Sequence, residues 1–389
     1  MISFVWSPGE RLPAGTGGSE NFTVGQVREL NRREIDARVI TVGLGTDDGR
    51  EEFDDVPFHS VATLDDVRTL DDTLVFVSEA PPVTTMNPAY QILHVPPPLR
   101  EHQQLSVVAG TRDRTLIATS RYAAALWSDF LDVSLDSVRV VYPFAEPAFA
   151  AQPRADARAD FIRVLYAGRL TPEKGIFTLL SMLHTDLFEH GSVSFTVTSA
   201  GADKTQGAII ERMLQVHPGI DLVPARRTPA DMASLLAEHD VVVMPSNSQY
   251  WHETFGILSI EAQHAGCRVV ASHDGGLPET DCGALVLVTP DDAEALAQGI
   301  LAARQLGPVT RPERLRAGCD FTVADSVDSL LDALRATPAP TPWAVIQELE
   351  ELVALPSVSP PHEHSDDAGR MVRAQTTHPT RHPRAEAPS

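Results

Sequence analysis

Two basic residues stand where a predicted buried strand passes into a helix. Arg169 follows the strand Arg163–Ala167, and Lys174 lies five residues later, at the start of the predicted helix Lys174–Leu183. Two cations at a helix N-terminus oppose the helix dipole, so this placement favours an anion between them. A diphosphate is such an anion. Two solvated charges are the alternative, but Lys174 is one of only two lysines in a chain that otherwise uses arginine.

Two glutamates flank the start of another predicted helix, Phe255–His264. Glu253 precedes this helix, and Glu261 lies two turns within it, near Leu258 and Ile260. A carboxylate in so apolar a helix needs a hydrogen-bond donor, because an unpaired buried charge is costly. Hydroxyl groups of a sugar or a ribose are suitable donors. Taken alone, Glu253 has the alternative interpretation of an acidic residue at a helix start. Taken alone, Glu261 has that of an acidic residue on a solvated helix face.

Glycine-rich turns precede further helices. Gly17 and Gly18 stand directly before the predicted helix Ser19–Arg33, where a close backbone approach and a helix N-terminus favour an anion. The dinucleotide fingerprint G-x-G-x-x-G does not apply, because its third glycine falls at Glu20. A flexible turn with a serine cap is the alternative. The turn DGGLPE, which begins at Asp274, allows the same approach to phosphate or sugar, or is simply a loop.

All of these residues follow strands in a chain that alternates apolar runs with amphipathic helices. This alternation predicts an α/β protein with two Rossmann-like, doubly wound parallel sheets. Such sheets bind ligands beyond the carboxyl ends of their strands, so we expect a cleft between the two domains. The predicted divisions are a first domain at 1–150, a linker at 151–160, a second domain at 161–337, a helix at 342–355 placed to cross back to the first domain, and a disordered tail at 356–389.

The composition excludes several classes of protein. The chain has 389 residues, 43% of them apolar, and a formal net charge of −22. Its apolar runs fall short of the ~18 residues that a membrane span needs. The acidity argues against nucleic acid and anionic lipid surfaces as partners. Three cysteines without a CxxC pair exclude a disulfide scaffold and fit a reducing compartment. We therefore expect a cytoplasmic protein without stable membrane association.

Taken together, the motifs resemble those of glycosyltransferase family 4, the retaining nucleotide-sugar transferases of GT-B fold. The resemblance is carried by AGRLTPEKG, PS…HETFGILSIEA, AGCRVVAS and GGLPE, and it is close over 165–279. The first domain matches more loosely, through the Gly17–Gly18 loop, QILH at 91–94 and ATSR at 118–121. The length of the chain is also similar to that of family members in aminoglycoside-antibiotic biosynthesis.

The resemblance implies a role for each matching side chain. Arg169 and Lys174 would hold the donor diphosphate and stabilise it as the leaving group. Glu253 would contact hydroxyls of the donor sugar, and Glu261 would accept hydrogen bonds from the ribose. His94, at the end of a first-domain strand, would lie beside the donor sugar and the reacting centre, a core or surface histidine being the alternative.

Backbone amides complete the implied donor site. Those of Gly17 and Gly18, and those of Gly256, Ile257 and Leu258, would face phosphate. Cations and amides would thus replace a metal, so the resemblance implies no metal and no cofactor beyond the nucleotide sugar as co-substrate. It also implies retention of anomeric configuration without a clear enzyme nucleophile.

We therefore predict a retaining, metal-independent hexosyltransferase that uses a nucleotide sugar, with UDP favoured, and a small polar acceptor. The acidity of the chain favours a cationic acceptor, so we expect transfer of a hexose or amino-hexose to an aminoglycoside of 2-deoxystreptamine type in antibiotic biosynthesis. Three alternatives stay open. They are a transferase that builds polysaccharide or another glycoconjugate, a nucleotide-sugar epimerase, and a degenerate nucleotide-sugar-binding partner subunit.

Overall fold

The computed structural model of the chain describes residues 1–12, 17–154, 161–185, 193–247, 249 and 252–335. Most of the predicted linker, the predicted helix at 342–355 and the predicted tail at 356–389 lie outside these residues. All ten residues that the sequence places at a donor site lie within them.

Seven parallel strands form the first sheet: β1 (Ile2–Val5), β2 (Ala37–Val42), β3 (Phe58–Val61), β4 (Thr73–Val77), β5 (Ala89–Leu93), β6 (Arg114–Ala118) and β7 (Arg139–Val140). Their order across the sheet is β3-β2-β1-β4-β5-β6-β7. Every neighbouring pair is parallel. The direction of winding reverses between β1 and β4, and an open sheet of this kind has its ligand crevice at such a point.

Six parallel strands form the second sheet: β8 (Ile162–Tyr166), β9 (Val193–Thr198), β10 (Ile220–Val223), β11 (Val241–Met244), β12 (Arg268–Ser272) and β13 (Leu285–Val288). Their order is β10-β9-β8-β11-β12-β13, again parallel throughout. Here the winding reverses between β8 and β11. The prediction of two doubly wound parallel sheets is confirmed.

Helices cover both sheets: α1 (Gly18–Arg32), α2 (Leu64–Arg68), α3 (Glu101–Thr111), α4 (Arg121–Leu131), α5 (Pro147–Ala151), α6 (Ile176–Met182), α7 (Thr205–Gln215), α8 (Pro229–Ala237), α9 (Ile257–His264), α10 (Ala293–Leu306), α11 (Arg311–Ala317) and α12 (Val323–Arg335). Side chains fix several of their starts. The hydroxyls of Ser120 and Thr228 accept backbone N–H bonds at the starts of α4 and α8, and such caps satisfy amides that have no partner within the helix.

Helix α12 belongs to the core of the first sheet. Its residues Val327 and Leu330 are buried with side chains of that sheet and of α1, and the amide of Gln26 on α1 donates to the hydroxyl of Ser326 at 2.7 Å. The sequence places this helix in the predicted second domain, 161–337. An apolar stripe indicates that one face of a helix is buried, but it does not indicate which of the two sheets buries that face. The chain therefore crosses back to the first sheet at α12.

Candidate active site

A cavity of about 450 Å³ lies between the carboxyl ends of the two sheets. The loops that follow β1, β5 and β6 form one wall, and those that follow β8, β10 and β11 form the other. The structure brings to this cavity all ten residues that the sequence singles out: Gly17, Gly18, His94, Arg169, Lys174, Glu253, Gly256, Ile257, Leu258 and Glu261. Their individual roles stay predictions.

An ion pair lies at the centre of the second-sheet wall. The ammonium of Lys174 is bonded to the carboxylate of Glu253, which also accepts a hydrogen bond of 3.0 Å from the hydroxyl of Ser246. Glu253 is buried, which raises the pKa of its carboxyl. The charge and hydrogen bond of Lys174 and the bond from Ser246 outweigh burial, so this pKa lies below its ordinary value. Glu253 is therefore ionised, and Lys174 is held facing the cavity.

Gly175 allows Lys174 to reach Glu253. Its φ of +71° lies in the left-handed region, and a Cβ there would lie 1.6 Å from the carbonyl oxygen of Pro245, in the loop after β11. The predicted helix at Lys174 is wrong in this detail. Pro172–Lys174 forms a separate 3-10 turn, and α6 begins only at Ile176, because Gly175 interrupts the right-handed conformation.

Three further basic residues line the same wall. Arg169 exposes 54% of its side chain and has an oxygen of Glu173 at 3.8 Å. Arg226 and Arg227 lie in the loop between β10 and α8. Together with Lys174 they give this wall a strongly positive character, as an anionic ligand requires.

Two helix N-termini meet at the cavity. Gly256, with a φ of +98°, precedes α9, so this helix begins at Ile257 and not at the predicted Phe255. A Cβ on Gly18, the first residue of α1, would lie 2.7 Å from the side chain of Ile257. The glycine thus lets the two helix starts approach closely. Amides without a partner in the first turn, together with the helix dipoles, favour an anion here.

Glu261 lies on α9 where the helix lines the cavity. Burial raises the pKa of its carboxyl to about 8, and the nearby charge of Glu146 adds to the effect. The side chain is therefore largely protonated at neutral pH, unlike that of Glu253. A carboxyl in this state becomes a good acceptor for two hydroxyl groups once it ionises.

His94 lies in the first-sheet wall, directly after β5. It is 9% exposed, its ring meets that of Phe22 edge-on at 5.0 Å, and its backbone oxygen accepts a 2.6 Å bond from the hydroxyl of Thr254. Burial lowers the pKa of the imidazole to about 3, so the ring is neutral. Its Nε2 is buried and has no hydrogen-bond partner among the described residues.

Sequence reasoning missed several residues of the cavity. Thr119 lines it with a buried hydroxyl that lacks a partner within the described part of the chain, and Ser246 supports Glu253. Arg226 and Arg227 carried a usable signal, since they stand between a strand and a helix, like Arg169 and Lys174. Two arginines in a polar loop nevertheless have the ordinary appearance of solvated charges.

Over the described ranges, no three His, Cys, Asp or Glu side chains are grouped so as to hold a metal ion. The expected independence of metal stays a prediction. The helices of the same ranges include none of the length and apolarity that crossing a membrane requires.

Part of the chain is similar to known glycosyltransferases. Residues 162–305 match the family model described as glycosyl transferases group 1. The D-inositol 3-phosphate glycosyltransferase of Saccharomonospora viridis is 30% identical over 253 residues, which cover 60% of this chain and 57% of that protein. The chain spans about half the length of the curated relatives it matches.

Solved structures share the architecture over most of the chain. Anabaena HepE in complex with UDP and glucose gives a TM-score of 0.66 at 18% identity, covering 86% of this chain and 99% of that one. Sucrose-phosphate synthase from Thermosynechococcus elongatus gives a TM-score of 0.67 at 17% identity, covering 90% and 100%. The protein therefore has the GT-B fold, as the resemblance of its motifs implies.

Proposed function

We propose that the protein is a retaining hexosyltransferase, which moves a hexosyl or amino-hexosyl group from a nucleotide sugar to a small polar acceptor. UDP is the favoured nucleotide. The observation that carries the proposal is the convergence of Arg169, Lys174 and two helix N-termini on one cavity, with Glu253 and Glu261 beside them. This arrangement supplies charge for a diphosphate and acceptors for hydroxyl groups in a single place.

Lys174 and Arg169 act on the leaving group. As the glycosidic bond breaks, negative charge grows on the diphosphate, and cations already held in position stabilise that charge without reorganising. The ion pair with Glu253 keeps Lys174 in place before the donor arrives. The first-turn amides of α1 and α9 add hydrogen bonds to the same oxygens. Glu253 keeps acceptor capacity for hydroxyls of the donor sugar, because an ionised carboxylate accepts more than one hydrogen bond.

The reaction retains configuration when the acceptor hydroxyl attacks the face that the diphosphate is leaving. The diphosphate oxygen then takes the proton of that hydroxyl, so no enzyme nucleophile is required. His94 does not supply this proton transfer, because burial lowers the pKa of its imidazole to about 3 and makes it a weak base. It positions the donor sugar instead, since its buried Nε2 still lacks a hydrogen-bond partner within the described part of the chain. Closure of the two sheets around the cavity excludes water, which would otherwise hydrolyse the donor.

For the acceptor we propose a cationic aminocyclitol of the 2-deoxystreptamine type, as in antibiotic biosynthesis. The charge distribution supports this choice. Of the described residues that line the cavity, the lysine and the arginines all belong to the second-sheet wall, whereas the first-sheet wall carries Glu20, the neutral His94 and no lysine or arginine. A phosphorylated acceptor would gain no ion pair at that wall. The net charge of −22 attracts a polycation in addition.

Calorimetric titration with UDP and with GDP, in the presence of a chelator, tests the donor site. We expect UDP to bind without metal and Lys174→Ala to weaken that binding by about two orders of magnitude, since charge-assisted bonds to phosphate are lost. Lys204→Ala is the matched control, because the other lysine of the chain is exposed at the start of α7. If neither nucleotide binds, the alternative that the protein is a degenerate nucleotide-sugar-binding partner subunit would be favoured over a transferase.

Turnover measurements separate the enzymatic alternatives. A transferase releases UDP from its donor in step with an added aminocyclitol, whereas an epimerase converts the donor sugar without an acceptor. If no aminocyclitol accepts the sugar but a neutral saccharide does, the proposed acceptor is refuted. The proposed donor chemistry would not be affected by this result.

A further inference from the structure

We infer that Thr254 and Glu279 are positioning residues, which fix the first-sheet wall of the cavity against the donor loops of the second sheet. This inference rests on the proposed function. Neither residue was assigned a role from the sequence, although both lie in motifs that carry the resemblance, HETFG and GGLPE.

Thr254 joins the two walls beside the ion pair. It follows Glu253 in the chain, and its hydroxyl donates to the backbone oxygen of His94 at 2.6 Å. Its own carbonyl oxygen accepts a bond from the hydroxyl of Ser120. Since His94 follows β5 and Ser120 follows β6, Thr254 is bonded to the ends of two neighbouring strands of the first sheet. The position of Glu253 and that of His94 are thereby linked.

Glu279 makes a second link, to residues that directly follow Ser120 in the chain. Its carboxylate accepts bonds from the backbone N–H groups of Arg121 at 2.9 Å and of Tyr122 at 2.8 Å. These amides belong to the first turn of α4, which has no intrahelical partners for them. The carboxylate also accepts a 2.7 Å bond from the hydroxyl of Tyr142. A negative charge at a helix N-terminus is favourable, so an acid of the second sheet stabilises a helix of the first.

The two links are mechanically connected. The N–H of Gly276 donates to the backbone oxygen of Glu253 at 2.7 Å. A Cβ on Gly276 would lie 2.2 Å from the carbonyl oxygen of Thr254, so the glycine allows the GGLPE turn to pack directly on the loop that carries Glu253. The turn with Glu279 and the loop with Thr254 therefore move as one body. Separation of the sheets breaks five hydrogen bonds and shifts His94 relative to Glu253.

This arrangement has a kinetic consequence. Glu279 does not line the cavity, so its loss leaves the donor contacts intact and removes only the closed geometry. A displacement of about 1 Å at the reacting centre costs up to about a hundredfold in rate. We therefore expect the chemical step to suffer while donor binding does not, and water to gain access to the donor.

The test compares Glu279→Gln and Thr254→Val, which keep side-chain size, with Asp281→Asn as control. Asp281 is exposed and bonds the N–H of Gly283 within its own loop. We expect Glu279→Gln to keep the wild-type affinity for UDP within about twofold, and both variants to lower kcat about tenfold or more. The ratio of donor hydrolysis to transfer should rise, and Asp281→Asn should match the wild type in every measurement.

Small-angle scattering of the UDP-bound proteins gives a readout that does not depend on activity. We expect a larger radius of gyration for Glu279→Gln and for Thr254→Val than for the wild type and for Asp281→Asn. Unchanged scattering together with unchanged kcat would overturn the inference, as would loss of UDP affinity and of kcat in equal measure. A wild-type protein that transfers no sugar would refute the proposed function, and the scattering comparison would still decide whether these residues hold the two sheets together.

Discussion

Lys174 and Glu253 form an ion pair in the cavity wall although 79 residues separate them in the chain. Lys174 follows β8 and Glu253 follows β11, and these strands are neighbours where the winding of the second sheet reverses. Side chains that follow adjacent parallel strands emerge at one edge of the sheet. The topology therefore brings together a cation and an anion that the chain order keeps apart, and it does so in the wall of the cavity.

Removal of Lys174 should destabilise the protein through Glu253. Lys174→Ala leaves a buried carboxylate without its cation, and breaking a pair of this kind costs about 3 kcal/mol or more. We expect Lys174→Ala to lower the free energy of unfolding by about this amount in urea at neutral pH. The double variant with Glu253→Gln should recover much of the loss, because the uncompensated charge is gone. Strict additivity of the two single variants would contradict the coupling.

The same pair predicts a dependence on pH. The pKa of Glu253 lies below its ordinary value in the folded protein, so the stabilisation that it contributes is complete above the pKa of the unfolded chain and is lost as the pH falls through the folded pKa. In Lys174→Ala burial acts on this carboxyl without the opposing cation, which raises its pKa, so the variant is stabilised as the pH falls and the carboxyl takes up a proton. The difference in unfolding free energy between wild type and variant should therefore shrink on acidification from neutral pH, and a constant difference would count against the ion pair.

Ionisation of His94 should not contribute to the pH dependence of kcat for sugar transfer. Because burial lowers the pKa of its imidazole to about 3, the ring stays neutral throughout the range in which histidines ordinarily titrate. We expect His94→Gln to lower kcat, since the hydrogen bond from Nε2 changes. The ratio of wild-type to variant kcat should stay constant from about pH 5.5 to 7.5. A ratio that changes across this range would show that His94 titrates during turnover.

Much of the second-sheet wall of the cavity is predictable from the sequence, because its residues stand directly after strands. Arg169, Lys174 and Glu253 each lie between an apolar run and a helix, and parallel strands place such positions at one edge. Glu279 carries no comparable signal. Its partners at Arg121 and Tyr122 lie almost 160 residues earlier in the chain, and a local pattern does not encode a contact between two domains.

Two elements and two helix starts that the sequence does not reveal have separate physical causes. Helix α3 buries only Gly110 and Thr111, so it lacks the apolar stripe from which a helix is predicted. Strand β3 lies at the edge of its sheet and mixes polar with apolar residues, so it lacks the continuous run of a central strand. The helix starts near Lys174 and Phe255 shift by two residues because Gly175 and Gly256 adopt positive φ.

The packing of α12 on the first sheet is open to a direct test. Leu330 is fully buried in the core of that sheet, so Leu330→Ala should lower the free energy of unfolding by about 2–5 kcal/mol. Ser329, its exposed neighbour on the same helix, provides the control, and Ser329→Ala should change stability by less than about 0.5 kcal/mol. Urea denaturation measures both. Equal effects of the two substitutions would show that α12 does not cover this core.

Glu261 should make the affinity for UDP depend on pH. Its pKa of about 8 in the free protein lies above the ordinary 4.5, so the folded chain holds a proton there that the unfolded chain releases. Its contribution to stability therefore declines as the pH rises from about 4.5 to 8. Ribose hydroxyls that donate to the carboxylate favour its ionised form, so binding of UDP expels the proton. At pH values below the pKa of Glu261, the affinity for UDP should therefore rise about tenfold for each unit by which the pH is increased.

Calorimetry of Glu261→Gln isolates this effect from the titration of UDP itself. The amide carries no proton to release, so the variant should bind UDP more weakly than the wild type at about pH 8, with the difference narrowing towards about pH 6. The number of protons released per bound UDP is measured from the binding heats in buffers of different ionisation enthalpy. Glu261 should contribute about one released proton in the wild type near pH 7, and this contribution should be missing in Glu261→Gln. Equal proton release in both proteins would show that Glu261 is ionised before UDP binds, or that it does not contact the nucleotide.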